Sequence, residues 1–215
     1  MGEPTAENEE IMDAVDEALR KHGYAELTMQ DIADESSKSK SLLHYHYDTK
    51  EDLLVAFLDH ILAEYEHRME CRADAPPEER IVEFLARFVF TPDDDDREAF
   101  HLALLEMRSQ GPFNERIREQ LDRSDRLLRG TVVDILEEGV ESGVFEPLDT
   151  DRTAALLVAT LDGARTRQIT LGDANDTYTR TVVEEILAQI VEPILADGTT
   201  LPSLEETIAE LEDEL

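Results

Sequence analysis

The chain has one cysteine (Cys71), no tryptophan, and only 20 basic side chains against 52 acidic ones in 215 residues. A single thiol excludes a disulfide framework and a thiolate metal cluster within the chain. No run of about 18 apolar residues occurs. The first ten residues, MGEPTAENEE, lack the basic start and apolar stretch of a signal peptide. The protein is therefore expected to be soluble and cytoplasmic. Glycine and proline together number 9 + 8 = 17, and hydrophobic residues make up 41%. A disordered acidic polymer is thereby excluded, and the length suits one moderate domain or a small domain joined to a larger one. There is no Gly-rich phosphate loop, nucleophile elbow or HExxH pattern, so no enzymatic activity and no cofactor is indicated.

Lysine is the scarcest charge. Only Lys21, Lys38, Lys40 and Lys50 occur, and the other sixteen basic residues are arginine. The formal net charge of −32 argues at first against nucleic acid, because phosphate binding is driven by Lys and Arg. Acid is spread over the whole chain, with local runs at Asp93–Asp96 and from Glu205 to Glu214. An acidic tail alone would indicate an interaction segment. Acid on every polar face instead indicates an adaptation of the whole surface, whose self-repulsion salt relieves. The composition resembles that of proteins from salt-in halophiles.

The apolar periodicity is helical almost throughout. Ile11, Ala14, Val15, Ala18 and Leu19 mark a helix over 6–22 that Gly23 ends as a C′ residue. Thr28 followed by Asp31 reads as a capping box for a short helix through Ile32 and Ala33. Ser39 caps a second short helix over 40–46, and Asp48 or Thr49 caps a longer one carrying Leu53, Leu54, Phe57, Leu58, Ile61 and Leu62. Larger helices are expected over 77–90, 97–109, 113–142, 150–171 and 176–196, with breaks at Thr91-Pro92, Gly111-Pro112, Gly143 and Gly172-Asp173. Ser203 opens a short amphipathic coda. No segment alternates with period two, so an all-α fold without a sheet is expected.

Two short helices separated by a tight turn, with a helix before and another after, have the proportions of a helix-turn-helix. Charge marks the same place. Residues 36–47 (SSKSKSLLHYHY) are the longest acid-free stretch, at 12 residues, and contain Lys38 and Lys40, with Lys50 just beyond. Serine, histidine and tyrosine there are donors for phosphate or base edges.

The segment LTMQDIADESSKSKSLLHYHYDTKEDLL resembles the N-terminal DNA-binding motif of the TetR family of repressors. The elements that carry the resemblance are Thr28, Ile32-Ala33, Ser39 to Tyr47 and Lys50-Glu51-Asp52-Leu53, in order and correctly spaced, over roughly residues 10–58. The resemblance implies a three-helix DNA-binding head over 1–48, a helical regulatory and dimerising body over 49–198 and an acidic extension over 199–215. It places Thr28, Tyr45 and Lys50 at phosphate-contacting positions. Ser39, Lys40, Ser41, Leu42, His44 and His46 fall on the groove-facing side of the recognition helix, and Leu43 and Tyr47 at packing positions. The chain departs from the family pattern at the turn, where Ser37 and Lys38 replace a glycine and an apolar residue. It departs again at His44, usually Tyr, and at Leu42, usually Thr. The Asp162-Gly163-Ala164-Arg165 stretch with Arg167 resembles the BetI-like C-terminal subgroup.

Residues 154–164 are apolar nearly all round and 182–195 almost so. A helix of that kind buries more than one face, so a homodimer through 150–171 and 176–196 is expected, its two-fold axis matching a pseudo-palindromic double-stranded DNA operator. Phe57, Tyr65, Phe84, Phe88, Phe100, Leu104, Met107 and Leu128 fall on inward stripes, as lining for a small-molecule effector or as plain core. The scarcity of aromatics points to an apolar or acyl effector over a quaternary ammonium. His44 and His46 lie two apart and share no helix face. His60, Glu64 and His67 share one, but without a fourth ligand they read as a solvated face and no metal is expected. Cys71 lies beside Arg68 and Arg72, and no second cysteine exists to resolve an oxidised thiol. The leading expectation is a ligand-responsive DNA-binding regulator, a repressor. The rival is a helical dimeric adaptor whose DNA-binding head no longer functions.

Overall fold

The computed structural model describes residues 6–91, 95–172 and 177–213. Outside them lie Pro92, Asp93 and Asp94, the break at Asp173, the expected helix start at 176, and Glu214. Among the described residues ten α-helices follow one another: α1 (Ala6–Glu26), α2 (Met29–Asp34), α3 (Lys40–His46), α4 (Lys50–Cys71), α5 (Pro77–Ala86), α6 (Asp95–Gln110), α7 (Glu115–Ser142), α8 (Thr150–Leu171), α9 (Tyr178–Ile186) and α10 (Leu204–Asp213). The fold is all-α. The described residues hold no strand, only an isolated antiparallel bridge between Phe145 and Leu195. No helix among them is long and apolar enough to cross a membrane.

The chain forms two compact units, Met1–His67 with Asp95–Ser124, and Arg68–Asp94 with Asp125–Leu215. In the first, α1 buries Ile11, Met12, Val15, Ala18 and Leu19 on one stripe, and Gly23 breaks the helix with φ 66 and ψ 171. A side chain with Cβ rarely adopts that backbone. The core continues through Leu43, Leu53, Leu54 and Phe57 to Ala103 and Met107 of α6, which lies along α1. Each fully buried Leu or Phe there contributes roughly 1.5–3 kcal/mol of transfer free energy.

Thr49, and not Asp48, caps α4. Its Oγ1 accepts the Asp52 N–H at 3.1 Å, while the Asp52 carboxylate accepts the Thr49 N–H at 2.9 Å. Asp52 and Asp59, seven residues apart on α4, pair with Arg116 and Arg123, seven apart on α7, and Arg123 also reaches Glu66 at 3.3 Å. These pairs are exposed and individually weak; two turns of matched spacing set the register of α7 on α4.

In the second unit α5 stops at Ala86, short of the expected residue 90. Phe88, Val89 and Phe90 stay buried, but the backbone tightens: the N–H groups of Phe88 and Val89 donate to Leu85 and Ala86 at 3.0 and 2.9 Å, and that of Phe90 donates to Thr179 Oγ1 at 3.2 Å. In the first unit α7 likewise opens at Glu115, two residues later than expected, because Asn114 Oδ1 caps it by accepting the Arg116 and Ile117 N–H groups. The buried Glu83 is held by Arg72 at 2.8 Å and Arg87 at 2.7 Å. The α9 helix runs on through a wide turn, Leu187–Val191, and a tight one, Glu192–Ile194.

At the end of α7 the chain folds back so closely that a Cβ on Gly139 would lie 2.0 Å from the Phe145 ring. Phe145 is 2% exposed. Replacing Gly139 by Ala therefore overpacks a filled site and lowers stability by about 1–3 kcal/mol, read as a reduced denaturation midpoint at fixed salt. A second expectation concerns pH. The Thr28 hydroxyl and N–H hold the Asp31 carboxyl below its ordinary pKa, and Thr49, then Arg116, do the same for Asp52. A depressed carboxylate stabilises the fold above its unfolded pKa, and that contribution is lost as pH falls through the folded value. Asp31→Asn should shrink the loss of melting temperature between neutral and acid pH; an unchanged profile would remove Asp31 from the acid response.

Candidate nucleic-acid interface

Two capped helices and a pinned turn build the candidate site. The Thr28 hydroxyl oxygen accepts the N–H groups of Gln30 and Asp31 at 3.2 and 3.3 Å, and the Thr28 N–H and O–H donate to Asp31 Oδ2 at 2.8 and 2.7 Å. α2 opens on this reciprocal box. Thr28 is exposed, but its O–H is already committed to Asp31. Ser39 opens α3 by accepting the Leu42 N–H at 3.3 Å.

Between these helices the turn is fastened to α1. The Glu10 carboxylate accepts the Ser37 N–H at 3.0 Å, accepts the Ser37 hydroxyl as well, and pairs with Lys38 Nζ at 3.1 Å. The same contacts, with the Ser37 hydroxyl first, hold Glu10 below the ordinary carboxylate pKa. Ser36 Oγ accepts the Lys38 N–H at 3.1 Å. The two residues that depart from the family pattern at this turn are thus the two that Glu10 binds.

The α3 helix then divides cleanly. Leu43 is fully buried. Tyr47 is half-buried, with its hydroxyl donating to Asn8 Oδ1 at 3.1 Å, and burial raises its pKa. Both are packing residues. Lys40, Ser41, His44, Tyr45 and His46 are exposed, Tyr45 to 82%, and Leu42 is half-buried. The Tyr45 and His46 rings meet edge to face, 5.2 Å apart.

Three of the four lysines are engaged. Lys21 pairs with Glu17 and Glu35 at 2.9 and 2.8 Å, and Lys38 with Glu10. Lys50 Nζ donates to the carbonyls of Tyr24 and Leu27 at 3.1 and 2.9 Å and lies 5.0 Å from the Tyr24 ring centroid. Among the described residues Lys40 is the one lysine without a hydrogen bond or ion pair inside the chain. The exposed side of α3 therefore presents one ammonium, two imidazoles, a phenol and hydroxyls, free of carboxylates. That is a set of donors for phosphate oxygens and base-edge acceptors. Sequence reasoning missed Asn8, Glu10 and Glu106, since nothing in their spacing links them to the motif.

The eight effector candidates fall in different units. Phe57, Tyr65, Phe100, Leu104 and Met107 belong to the first, where Phe57 and Phe100 meet edge to face at 6.1 Å. Phe84, Phe88 and Leu128 belong to the second, where Arg165 lies 4.3 Å from the Phe88 centroid and 5.5 Å from that of Phe90. Arg165 also donates to the Arg87 carbonyl at 3.0 Å, and buried Gln168 accepts the Thr179 N–H at 2.8 Å. Among the described residues no group of three or more His, Cys, Asp or Glu is placed to hold a metal ion.

Residues 11–57 match the family of bacterial regulatory proteins of the tetR type, and residues 77–196 match the C-terminal domain of BetI-type transcriptional repressors. A TetR transcription regulator from Haloarcula marismortui is 37% identical, with a TM-score of 0.76 over 87% of this chain and 97% of that one. A protein from Saccharomonospora viridis solved in complex with choline is 24% identical, with a TM-score of 0.70 over 85% of this chain and 95% of that one. The transcriptional regulator FadR from Bacillus subtilis, solved with stearoyl-CoA, is 21% identical, with a TM-score of 0.66 over 85% of this chain and 98% of that one. No curated protein matches. With more than half of the chain under one family model, and a 37% identical relative along most of its length, this chain belongs to the TetR family of ligand-responsive, DNA-binding transcriptional regulators and carries a BetI-type C-terminal domain.

Proposed function

We propose that the protein is a homodimeric repressor that binds a pseudo-palindromic operator through α3 and leaves it when a small apolar or acyl molecule occupies the helical body. The observation that carries this reading is the exposed, carboxylate-free face of α3 with its unpaired Lys40, set on a helix whose other side is fixed by Leu43 and Tyr47. Ser39, Lys40, Ser41, Leu42, His44, Tyr45 and His46 form the reading face, and Thr28 and Lys50 flank it. Residues 1–48 act as the head, 49–198 as the body and 199–215 as an acidic extension. No catalytic step is assigned, no metal or cofactor is needed, and the site of action is the cytoplasm.

The dimer reading rests on α8. Leu156, exposed to 55%, is followed on one stripe by exposed Ala159 and Gly163, with Arg167, stacked on Tyr178, and Thr170 beyond, and a Cβ on Gly163 would meet nothing within 4 Å. A stripe of this kind admits close approach of a second helix. The exposed residues of α9 are mostly polar, Glu184 and Glu185 among them, so α8 supplies most of the apolar area. Two heads related by the two-fold axis read half-sites about 34 Å apart.

Chains of this fold have been solved with ligands as different as choline and stearoyl-CoA. Here the Phe88 and Phe90 rings already carry the Arg165 guanidinium, which leaves them poor partners for a quaternary ammonium and favours an apolar or acyl effector. Inducer binding shifts the population between two head arrangements.

Residues 1–50 carry 5 basic and 12 acidic groups, a net of 5 − 12 = −7. A gel-shift on the DNA upstream of its own coding sequence should therefore show specific binding that persists into molar KCl, where a basic head would have lost about three to five orders of magnitude. A steep loss with salt would refute the halophilic reading of the acidity; absence of specific binding at every salt concentration would favour the adaptor instead. Lys40→Ala should weaken binding by about tenfold without altering the melting temperature. Leu156→Glu should shift the protein from dimer to monomer in light scattering, and a dimer that survives it would move the interface away from α8.

A further inference from the structure

Gly23 breaks α1, and the five residues from Gly23 to Leu27 lead from that break to the N-cap of α2; they are gripped by two side chains of opposite charge. Glu106 Oε2 of α6 accepts the Tyr24 N–H at 2.6 Å and the Ala25 N–H at 3.3 Å. Lys50 Nζ at the start of α4 donates to the Tyr24 and Leu27 carbonyls at 3.1 and 2.9 Å. Neighbouring backbone N–H groups in a turn suit an anion, and carbonyl oxygens accept from an ammonium.

Both grips are mounted on fixed backbone. Glu106 lies between Ala103 and Met107, and Lys50 is three residues before Leu53, all of them fully buried. The turn is close-fitting: a Cβ on Gly23 would stand 3.1 Å from Glu106 Oε2, so the carboxylate would have to give way, and Gly23 holds a positive φ. Its far end is buried Leu27, and the next residue is Thr28, the N-cap of α2. The turn thus sets where α2 begins, alongside the burial of Met29, Ile32 and Ala33, and α3 follows from α2 and the Glu10 contact.

We infer that Glu106 and Lys50 are positioning residues for DNA binding, and that Lys50 acts through the turn and not as a phosphate contact. Glu106 belongs to the segment matched by the C-terminal family model, while the turn and Lys50 belong to the segment matched by the N-terminal one. The helix-turn-helix is thus completed by a carboxylate from outside its own motif. This inference rests on the DNA-binding reading above for its functional part, and on the clamp alone for its structural part.

The test uses the full chain and four variants, Glu106→Ala, Glu106→Gln, Lys50→Met and the Glu106→Ala/Lys50→Met double. Affinity is measured for duplex from upstream of the coding sequence across a KCl series, together with amide hydrogen exchange at Tyr24 and Ala25. Glu106→Ala should weaken binding about tenfold and speed exchange at both amides, whereas Glu106→Gln, which keeps an acceptor, should stay close to wild type. Lys50→Met should weaken binding without changing the salt slope, and the double variant should be no more than about twofold weaker than the weaker single one. A change in slope of about 0.9 for Lys50→Met would make it a phosphate contact and overturn its positioning role. Wild-type affinity or unchanged exchange in Glu106→Ala, or fully additive losses in the double variant, would overturn the clamp. Should Glu106→Ala fail to fold by circular dichroism, Glu106→Gln and Lys50→Met decide by the same readouts. Should the wild type bind no duplex at any salt, the DNA-binding reading fails, and exchange at Tyr24 and Ala25 still decides the clamp.

Discussion

A carboxylate that accepts backbone N–H groups is the interaction on which the head depends. Asp31 and Asp52 each close a reciprocal box with the threonine that opens a helix. Glu10 holds the turn between α2 and α3, and Glu106 the turn between α1 and α2. Backbone donors at helix starts and in turns have no partner within the helical ladder. In a chain with 52 acidic residues, a carboxylate is the acceptor most often at hand beside the threonine and serine caps. Negative charge that would repel DNA is thereby turned inward on N–H groups, and the outward side of α3 is left clear. The repulsion of a −32 surface and the order of the head are two uses of one residue type.

Much of the head was legible in the sequence because its signals are local. A cap and its N3 partner lie three residues apart, a helical stripe repeats every three or four, and a left-handed glycine ends a helix. Thr28, Ser39 and Gly23 were read from such spacing and stand where it placed them. The choice between Asp48 and Thr49 was left open by spacing and decided by which oxygen reaches the Asp52 N–H. The apolar period carries α5 past its true end because Phe88 and Phe90 continue it while the backbone has already left the helix, with the Phe90 N–H donating to the Thr179 hydroxyl 89 residues away.

The charges were harder. The acid-free stretch around α3 counted Lys38, Lys40 and Lys50 as three cations of one kind. Folding assigns them three roles: Lys38 balances Glu10, Lys50 holds carbonyls, and Lys40 is unengaged. Those partners lie 23 to 28 residues away, in α1 and the turn after its break, and no rule of spacing connects them. The effector candidates met the same limit. An inward stripe identifies residues that are buried, and burial alone does not separate the first unit's packed core from a cavity wall.

An ammonium held by a carboxylate or by two carbonyls must break those bonds before it can deprotonate and attack, and Lys21, paired twice, has its pKa raised by Glu35 and Glu17. Lys40 has no such restraint. An amine-directed reagent used sparingly would therefore single out Lys40 among the lysines, in the middle of the surface proposed to read DNA, so one acyl group would remove the only unengaged ammonium among the described lysines from that face.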